Sequence, residues 1–292
     1  MFEGSMVALI TPMKNGKVDE QGLRRLVNFQ EDNGIDVLVP CGTTGESATL
    51  TLEEHEKVIE IVVDESNKAK VMAGSGSNST HETLRLTKHA ARVGCDAALV
   101  ITPYYNKPPQ RGMYEHFRRV ADESDIDIVL YNVPSRTGIN LKADTVARLA
   151  RISNIVAVKE ASGDMGQVSE IITKTPEDFS VLSGDDALTL PLLAVGGRGV
   201  VSVVANIVPD RVSGLVNAWK SGDLEKAQQI HQEIFPLMQA MFMETNPIPV
   251  KAAANMKGLC ENELRSPMVP LDSQLSQRLK KIMLACGVSI DD

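Results

Sequence analysis

Short apolar runs alternate with longer amphipathic segments along most of the chain. Apolar runs bounded by turn residues are typical of buried parallel strands, and they lie at 6–10, 36–39, 71–73, 97–101, 126–131, 155–159, 179–183 and 199–203. The segments between them have the period of helices. Eight such units at a spacing of roughly 25–30 residues predict a TIM (β/α)8 barrel, an α/β fold that typically takes about 250 residues.

A doubly wound open sheet is the alternative for a repeated strand–helix pattern. Such a sheet usually has fewer units and a glycine-rich dinucleotide turn after its first strand. The first turn here is Thr11-Pro12-Met13-Lys14, and Gly74-Ser75-Gly76 after the third strand lacks the third glycine. The barrel is therefore the predicted fold.

The strand pattern stops at Ser221-Gly222, and apolar residues at helical spacing continue toward the carboxyl end. Pro236 is expected to kink the first long helix of this region, and Pro249 suits the start of another. We therefore predict a catalytic barrel at residues 1–222 and an all-helical region at residues 223–292.

The composition restricts partners and compartment. With 38 acidic and 30 basic residues, the net charge of −8 argues against nucleic acid and an anionic membrane as partners. The 4 cysteines are far apart, which is typical of a reducing compartment rather than a disulfide framework. The sequence shows no signal-peptide pattern and no run long enough to span a membrane, so it predicts a cytoplasmic protein.

The strand at 155–159 ends in Lys159, and Ala161-Ser162-Gly163-Asp164 then turns the chain. Functional groups of a barrel collect at the carboxyl ends of its strands, so this amine is expected in the barrel mouth. Apolar surroundings favour the neutral form of an amine, which attacks a carbonyl to give a Schiff base. Taken alone, a lysine at a strand end more often extends to solvent, so its neighbours decide the interpretation.

Two neighbouring regions carry groups that could act with this lysine. Tyr131, at the end of the fifth strand, could transfer protons, and Arg136 in the next loop could bind a carboxylate in a bidentate fork. The turn Gly42-Thr43-Thr44-Gly45-Glu46 follows the second strand and could hold a carboxylate with its N–H groups and hydroxyls. Several such groups at one barrel mouth favour a catalytic site over chance.

The other loops at this end give weaker signals. Tyr104 and Tyr105 lie in a loop between prolines, where exposed aromatic residues more often pack at an interface than take part in chemistry. Gly184 would let the backbone approach a ligand after the seventh strand, and Val201 on the eighth is a candidate substrate contact. The 5 histidines show no metal-ligand spacing, so neither a metal nor another cofactor is expected.

These motifs resemble a known family along essentially the whole chain, including the helical tail. The segments that carry the resemblance are Gly42-Thr43-Thr44-Gly45-Glu46, Tyr131-Asn132-Val133-Pro134-Ser135-Arg136-Thr137-Gly138 and Val158-Lys159-Glu160-Ala161-Ser162-Gly163. They are similar to the dihydrodipicolinate synthase family, in the branch of pyruvate-dependent class I aldolases that also holds N-acetylneuraminate lyase. The segment from Ser135 to Gly138 is the specific part, because the sugar-acid lyases resemble the motif only as far as the proline.

The resemblance implies 4-hydroxy-tetrahydrodipicolinate synthase activity, in which a lyase condenses pyruvate with L-aspartate 4-semialdehyde. This reaction is the committed step of diaminopimelate and lysine synthesis. Lys159 would form an imine with pyruvate, without a cofactor. Tyr131, Thr43 and Tyr105 would form a proton relay, with Tyr105 entering the site of a neighbouring subunit.

The resemblance also implies how the substrates are bound and how the subunits assemble. Thr43 and Thr44 would hold the pyruvate carboxylate, and Arg136 would hold that of the semialdehyde. The implied assembly is a homotetramer, a dimer of dimers in which the tight dimer completes each site.

Feedback inhibition by L-lysine at the dimer interface is a further implication of the resemblance. The positions that match the effector site of lysine-sensitive members are Ser47, Ala48, His55, Gly76, Asn78, Glu82 and Tyr104. Glu82 could neutralise the effector's ammonium group, while Asn78 and the Tyr104 hydroxyl could bind its polar ends. Leu52 stands where sensitive relatives often carry a histidine. The loss of this one polar partner is expected to weaken the binding of L-lysine roughly tenfold rather than abolish it.

Two other functions stay open from the sequence. A related pyruvate-dependent sugar-acid aldolase would use the same lysine on a longer aldehyde. A non-catalytic ligand-binding barrel would bind pyruvate without turnover, although the complete set of relay residues argues against it.

Overall fold

The structure is a computed structural model that describes residues 1–291. Its strands, in chain order, are β1 (Gly4–Ala8), β2 (Met13–Lys14), β3 (Lys17–Val18), β4 (Val37–Val39), β5 (Lys70–Gly74), β6 (Ala97–Ile101), β7 (Asp127–Asn132), β8 (Ile155–Glu160), β9 (Ser180–Ser183) and β10 (Gly199–Ser202). Eight of them form a closed barrel in the order β1-β10-β9-β8-β7-β6-β5-β4. The predicted TIM barrel is confirmed.

Helices alternate with the barrel strands, as the amphipathic segments predict. In chain order they are α1 (Glu20–Asp32), α2 (Leu52–Glu65), α3 (Thr80–Val93), α4 (Gln110–Glu123), α5 (Pro134–Thr137), α6 (Ala143–Leu149), α7 (Met165–Lys174), α8 (Thr189–Ala194), α9 (Pro209–Lys220), α10 (Leu224–Ala240), α11 (Ile248–Met256) and α12 (Ser273–Ala285). Within residues 1–291, none of these helices has the length and apolar character needed to cross a membrane.

Most element ends lie near the predicted ones, and the differences have local causes. The first strand ends at Ala8 rather than Ile10, because the Ile10 N–H donates to Oδ1 of Asn206, 3.0 Å away, instead of to a strand. The antiparallel hairpin of β2 and β3 was not predicted. Its strands are too short to show a period, and its turn depends on the left-handed backbone of Asn15 (φ 54°) and Gly16 (φ 75°).

Met1–Gly4 and Lys70–Val201 pack as one compact unit. Within it, β7 pairs with β8 in a register that sets Tyr131 opposite Lys159 and Asn132 opposite Glu160. Strand β8 continues this pairing with β9, where Ser183 lies opposite Glu160. Because side chains alternate along a strand, Lys159 and Glu160 point to opposite faces.

The second compact unit comprises Ser5–Ala69 and the chain from Ser202 onward. Strand β1 pairs with β4, with Met6 opposite Val37. The fully buried Asn206 joins the start of this unit to its carboxyl part, since its Nδ2 donates to the Ala8 carbonyl 2.8 Å away. Pro236 lies inside α10. The kink predicted there and the domain boundary predicted after residue 222 stay predictions.

Candidate active site

Lys159 lies near the carboxyl end of β8, after an apolar run that the sequence assigns to a buried strand. Its side chain is buried, with 6% of the residue exposed, so it does not extend to solvent. The Nζ atom lies 4.3 Å from the centroid of the Tyr131 ring on β7. The structure therefore brings together the amine and the phenol that the sequence places on neighbouring strands.

Gly184, directly after β9, approaches this amine with its backbone. Its N–H donates to the Glu160 carbonyl, 2.8 Å away, which fixes the turn beside β8. A β-carbon built on Gly184 would lie 3.1 Å from Cε of Lys159 and 2.7 Å from Cβ of Ala161. Only glycine leaves the lysine side chain this space, which supports the interpretation of Gly184 as a position of close approach. Val201 on β10 is buried, with 1% exposed.

Arg136 lies in the helical turn α5, which directly follows β7. The turn ends at Gly138, whose left-handed backbone (φ 73°) favours glycine. The buried Thr137 closes it, because its hydroxyl donates to the Ile139 carbonyl 3.0 Å away. The Arg136 side chain is exposed at this position. A guanidinium has the planar fork that suits a carboxylate, and this one lies on the surface of an ordered turn.

The turn at residues 42–46 follows β4 and is held on several sides. Thr44 is 3% exposed, and its hydroxyl oxygen accepts from Nδ2 of Asn246, 3.0 Å away. The Thr11 hydroxyl donates to the Gly45 carbonyl at 2.7 Å. Glu46 takes a left-handed backbone (φ 56°), which is strained for a residue with a side chain. The turn is therefore a rigid element rather than a mobile loop.

A buried ion pair, which the sequence analysis missed, supports this turn. Nζ of Lys251 lies 2.6 Å from Oε1 of Glu46, and the two side chains are 0% and 2% exposed. The other carboxylate oxygen accepts from the Arg265 N–H at 3.0 Å, and the ammonium also donates to the Glu263 carbonyl. Arg265 continues outward to Glu54 in α2 and holds the pKa of that carboxyl down at about 2.

The loop after β6 exposes the two tyrosines noted in the sequence. Tyr105 is 88% exposed and has a left-handed backbone (φ 70°), and Tyr104 is 37% exposed. The loop is held by Asn106, whose Nδ2 donates to the Asn78 carbonyl 2.9 Å away. Tyr105 therefore exposes its phenol at a backbone position that is strained for a residue with a side chain.

The residues matched to an effector site fall into both compact units. Gly76, Asn78, Glu82 and Tyr104 lie in the first, around the start of α3 and the tyrosine loop. Ser47, Ala48 and His55 lie in the second, before and within α2. His55 is buried, with 5% exposed, so it is not a surface residue of its helix. A β-carbon on Gly76 would lie 2.2 Å from the Ile101 nitrogen, so this position accepts only glycine.

Within the described part of the chain, residues 1–291, no group of three or more His, Cys, Asp or Glu side chains could hold a metal ion.

The chain is similar throughout its length to one group of enzymes. A model of the dihydrodipicolinate synthetase family matches residues 1–286. A 4-hydroxy-tetrahydrodipicolinate synthase from Methanothrix thermoacetophila is 56% identical over 285 residues, which are 97% of this chain and 96% of that protein. The crystal structure of dihydrodipicolinate synthase from Aquifex aeolicus has a TM-score of 0.98 and 49% identity, and 100% of each chain is covered.

Two further solved structures were determined with small molecules. Dihydrodipicolinate synthase from Cyanidioschyzon merolae, with lysine bound, has a TM-score of 0.96 and 42% identity, and 99% of each chain is covered. The chloride-inhibited dihydrodipicolinate synthase from Acinetobacter baumannii, complexed with pyruvate, has a TM-score of 0.96 and 40% identity. Its match covers 99% of this chain and 100% of that one.

Proposed function

Because this chain belongs to the dihydrodipicolinate synthetase family, we propose that Lys159 is the residue through which it carries out the family's reaction. The chain condenses pyruvate with L-aspartate 4-semialdehyde, as a lyase of the class I aldolase type without an external cofactor. One observation carries the assignment of Lys159. Its side chain is buried near the end of β8, and Nζ lies 4.3 Å from the centroid of the Tyr131 ring. A sheltered amine beside a phenol is suited to imine chemistry.

The reaction proceeds by covalent catalysis. The neutral Lys159 amine attacks the keto carbon of pyruvate, and loss of water gives the imine. Loss of a methyl proton then gives an enamine, whose methylene carbon bonds to the aldehyde carbon while the aldehyde oxygen takes up a proton and becomes a hydroxyl. The amino group of the second substrate attacks the imine carbon, closes the ring and displaces the lysine amine, which is thereby regenerated.

The roles of the other site residues are assigned from the positions that match the family's motifs. We assign the proton transfers to Tyr131, Thr43 and Tyr105, because a hydroxyl group in a relay can accept one proton while it donates its own and so stays neutral. Thr44 acts with Thr43 on the pyruvate carboxylate, and the buried bond to its hydroxyl oxygen supports a fixed orientation. Arg136 binds the carboxylate of the semialdehyde.

Gly184 and Val201 complete the pyruvate pocket in this proposal. Replacing Gly184 by alanine is expected to displace the Lys159 side chain, because the added β-carbon would lie 3.1 Å from its Cε. A displacement of a reacting group by about 1 Å can lower the reaction rate on the order of a hundredfold. The rate of imine formation with pyruvate should therefore fall roughly ten- to a hundredfold. Borohydride trapping at timed intervals measures this rate.

Gly214→Ala is the matched control, since a β-carbon there would lie 3.6 Å from Cδ1 of Ile230, an ordinary contact. An unchanged trapping rate in Gly184→Ala would contradict the close approach.

A substrate assay separates this function from its alternatives. Purified protein should consume pyruvate only when L-aspartate 4-semialdehyde is added, and longer sugar aldehydes should not compete. Turnover of a sugar acid in place of the semialdehyde would favour the related aldolase. Binding of pyruvate without turnover of either aldehyde would favour a non-catalytic barrel.

We also propose that the active form is a homotetramer, a dimer of dimers in which Tyr105 acts in the partner's site. The support is the outward position of Tyr105, which is 88% exposed on a strained backbone. Tyr105→Phe and Lys159→Ala should each lose most of the activity alone, yet mixing them should restore activity because a hybrid dimer holds one intact site. Full activity of a monomer at micromolar concentration, shown by analytical ultracentrifugation, would contradict this proposal.

L-lysine is the proposed feedback inhibitor, supported by the matching residues and by a relative that was solved with lysine bound. Millimolar L-lysine at saturating pyruvate should lower the steady-state rate. Glu82→Gln removes the charge proposed to meet the effector's ammonium, and should raise the half-inhibitory concentration about tenfold or more. Glu115→Gln, an exposed position on α4, is the control. Unchanged activity and no heat of binding would show that this enzyme is insensitive.

The cytoplasmic localisation stays a prediction from the sequence.

A further inference from the structure

Glu160 follows Lys159 on β8 and carries a side chain that is almost fully buried, with 3% of the residue exposed. Its carboxylate is held by N–H donors. Oε1 accepts from the Ser162 N–H at 2.7 Å, and Oε2 accepts from Nδ2 of Asn132 at 2.9 Å. A buried carboxylate held by several donors is expensive to disturb, because each donor would lose its acceptor.

The carboxylate determines how the Asn132 amide is oriented. A carboxylate only accepts hydrogen bonds, so the NH2 end of Asn132 must face Glu160 and the oxygen must face the other way. That oxygen accepts from the Leu141 N–H at 2.9 Å, while Nδ2 also donates to Oδ1 of Asn140 at 2.7 Å. Asn132 therefore joins its own end of the segment 132–141 to the other end at Leu141.

Gln167 of α7 completes the arrangement. Its Nε2 donates to Oε2 of Glu160 at 3.2 Å and to Oδ1 of Asn140 at 3.1 Å, and its oxygen accepts from Nδ2 of Asn140 at 2.7 Å. Asn132, Asn140, Glu160 and Gln167 thus form a closed set of hydrogen bonds, which we name the carboxylate–amide cluster. Glu160 is its only member with a charge, and the other three are amides that could turn over without it.

The segment that this cluster closes is the one that carries Arg136. Between its two ends the chain forms α5, the buried Thr137 and the left-handed Gly138. The orientation of this short turn depends on where its ends are fixed. Lys159 lies on the opposite face of β8, and the strand itself determines its position. The cluster therefore acts on the segment that carries Arg136 and not on Lys159.

We propose that Glu160 is a positioning residue for the second substrate, acting through Asn132 on the segment that carries Arg136. This inference rests on the proposed function, in which Arg136 binds the semialdehyde carboxylate. Glu160→Gln places an NH2 group among N–H donors, so the amide of Asn132 or Gln167 must turn. A turned Asn132 no longer accepts from Leu141, and the Arg136 turn is released.

The test compares both substrates in the intact enzyme. In Glu160→Gln, the KM for the semialdehyde should rise about five- to thirtyfold, which is the effect of one lost buried hydrogen bond. The KM for pyruvate should stay within about twofold, and borohydride should still trap pyruvate at Lys159. Glu170→Gln on α7, an exposed carboxylate, is the control and should change neither KM.

A double-mutant cycle shows whether Glu160 acts through the arginine. If it does, Glu160→Gln should have less than about a twofold effect on the semialdehyde KM in the Arg136→Ala background, because coupled residues are not additive. Asn140→Ala removes a half-buried member of the same cluster. It should raise the KM for the semialdehyde about threefold, while the KM for pyruvate stays within about twofold. It serves as the test if Glu160→Gln does not fold.

The outcomes separate this inference from the function on which it depends. Equal rises in both KM values, no change in either, or full additivity with Arg136→Ala would each overturn the positioning role. A wild-type protein that forms no borohydride-stable adduct with pyruvate would instead overturn the proposed function, and the inference with it.

Discussion

Lys159→Ala is expected to reduce kcat by at least about a thousandfold, because the covalent intermediate cannot form without the amine. The remaining rate would come from substrate binding and from the groups around the site. Lys159→Arg should lose as much, since a guanidinium stays charged and cannot form the imine. Steady-state assays with pyruvate and the semialdehyde measure both variants.

The control is Lys142→Ala, which removes an exposed lysine just before α6. It should keep the wild-type rate. A Lys159→Ala protein that is folded and within about tenfold of the wild-type kcat would contradict the covalent mechanism at this residue.

Lys251→Met is expected to lower the free energy of unfolding by about 3–5 kcal/mol, because it leaves the buried Glu46 carboxylate without its cation. The pair has side-chain exposures of 0% and 2%, so water does not replace the lost partner. The variant should also have a higher KM for pyruvate, since Glu46 ends the turn proposed to hold the pyruvate carboxylate. Urea unfolding followed by circular dichroism measures the stability.

Two controls test the cause of this loss. Glu46→Gln combined with Lys251→Met removes both charges, and should recover part of the stability lost in the single variant. Lys14→Ala breaks an exposed pair with Glu261, which water screens, and should leave the urea unfolding curve close to that of the wild type. A Lys251→Met protein within about 1 kcal/mol of the wild type would contradict the importance of the buried pair.

The barrel and its lysine could be predicted because both depend on local patterns. The apolar run at 155–158 predicts a buried strand, and the groups on the neighbouring strands favour a place in the barrel mouth for Lys159 at its end. Tyr131 follows from the same pattern on the strand before it. The alternation of strands and helices places these ends on one side of the barrel.

The supports of the site could not be predicted, because they join residues that are distant in the chain. Glu46 and Lys251 are separated by 205 positions, and a lysine within an apolar helix usually extends to solvent. The carboxylate–amide cluster joins β7, β8 and α7 through amides that follow no hydrophobic period. The one available signal was Glu160 itself, a charged residue that continues a buried strand.

The proposed function depends first of all on the imine between Lys159 and pyruvate. Incubating the wild-type protein with pyruvate and borohydride, then digesting it and measuring peptide masses, tests this claim directly. One modified peptide is expected, which contains Lys159 and carries the added mass of pyruvic acid less one oxygen atom. Modification of a different lysine, or full labelling of the Lys159→Ala protein, would contradict it.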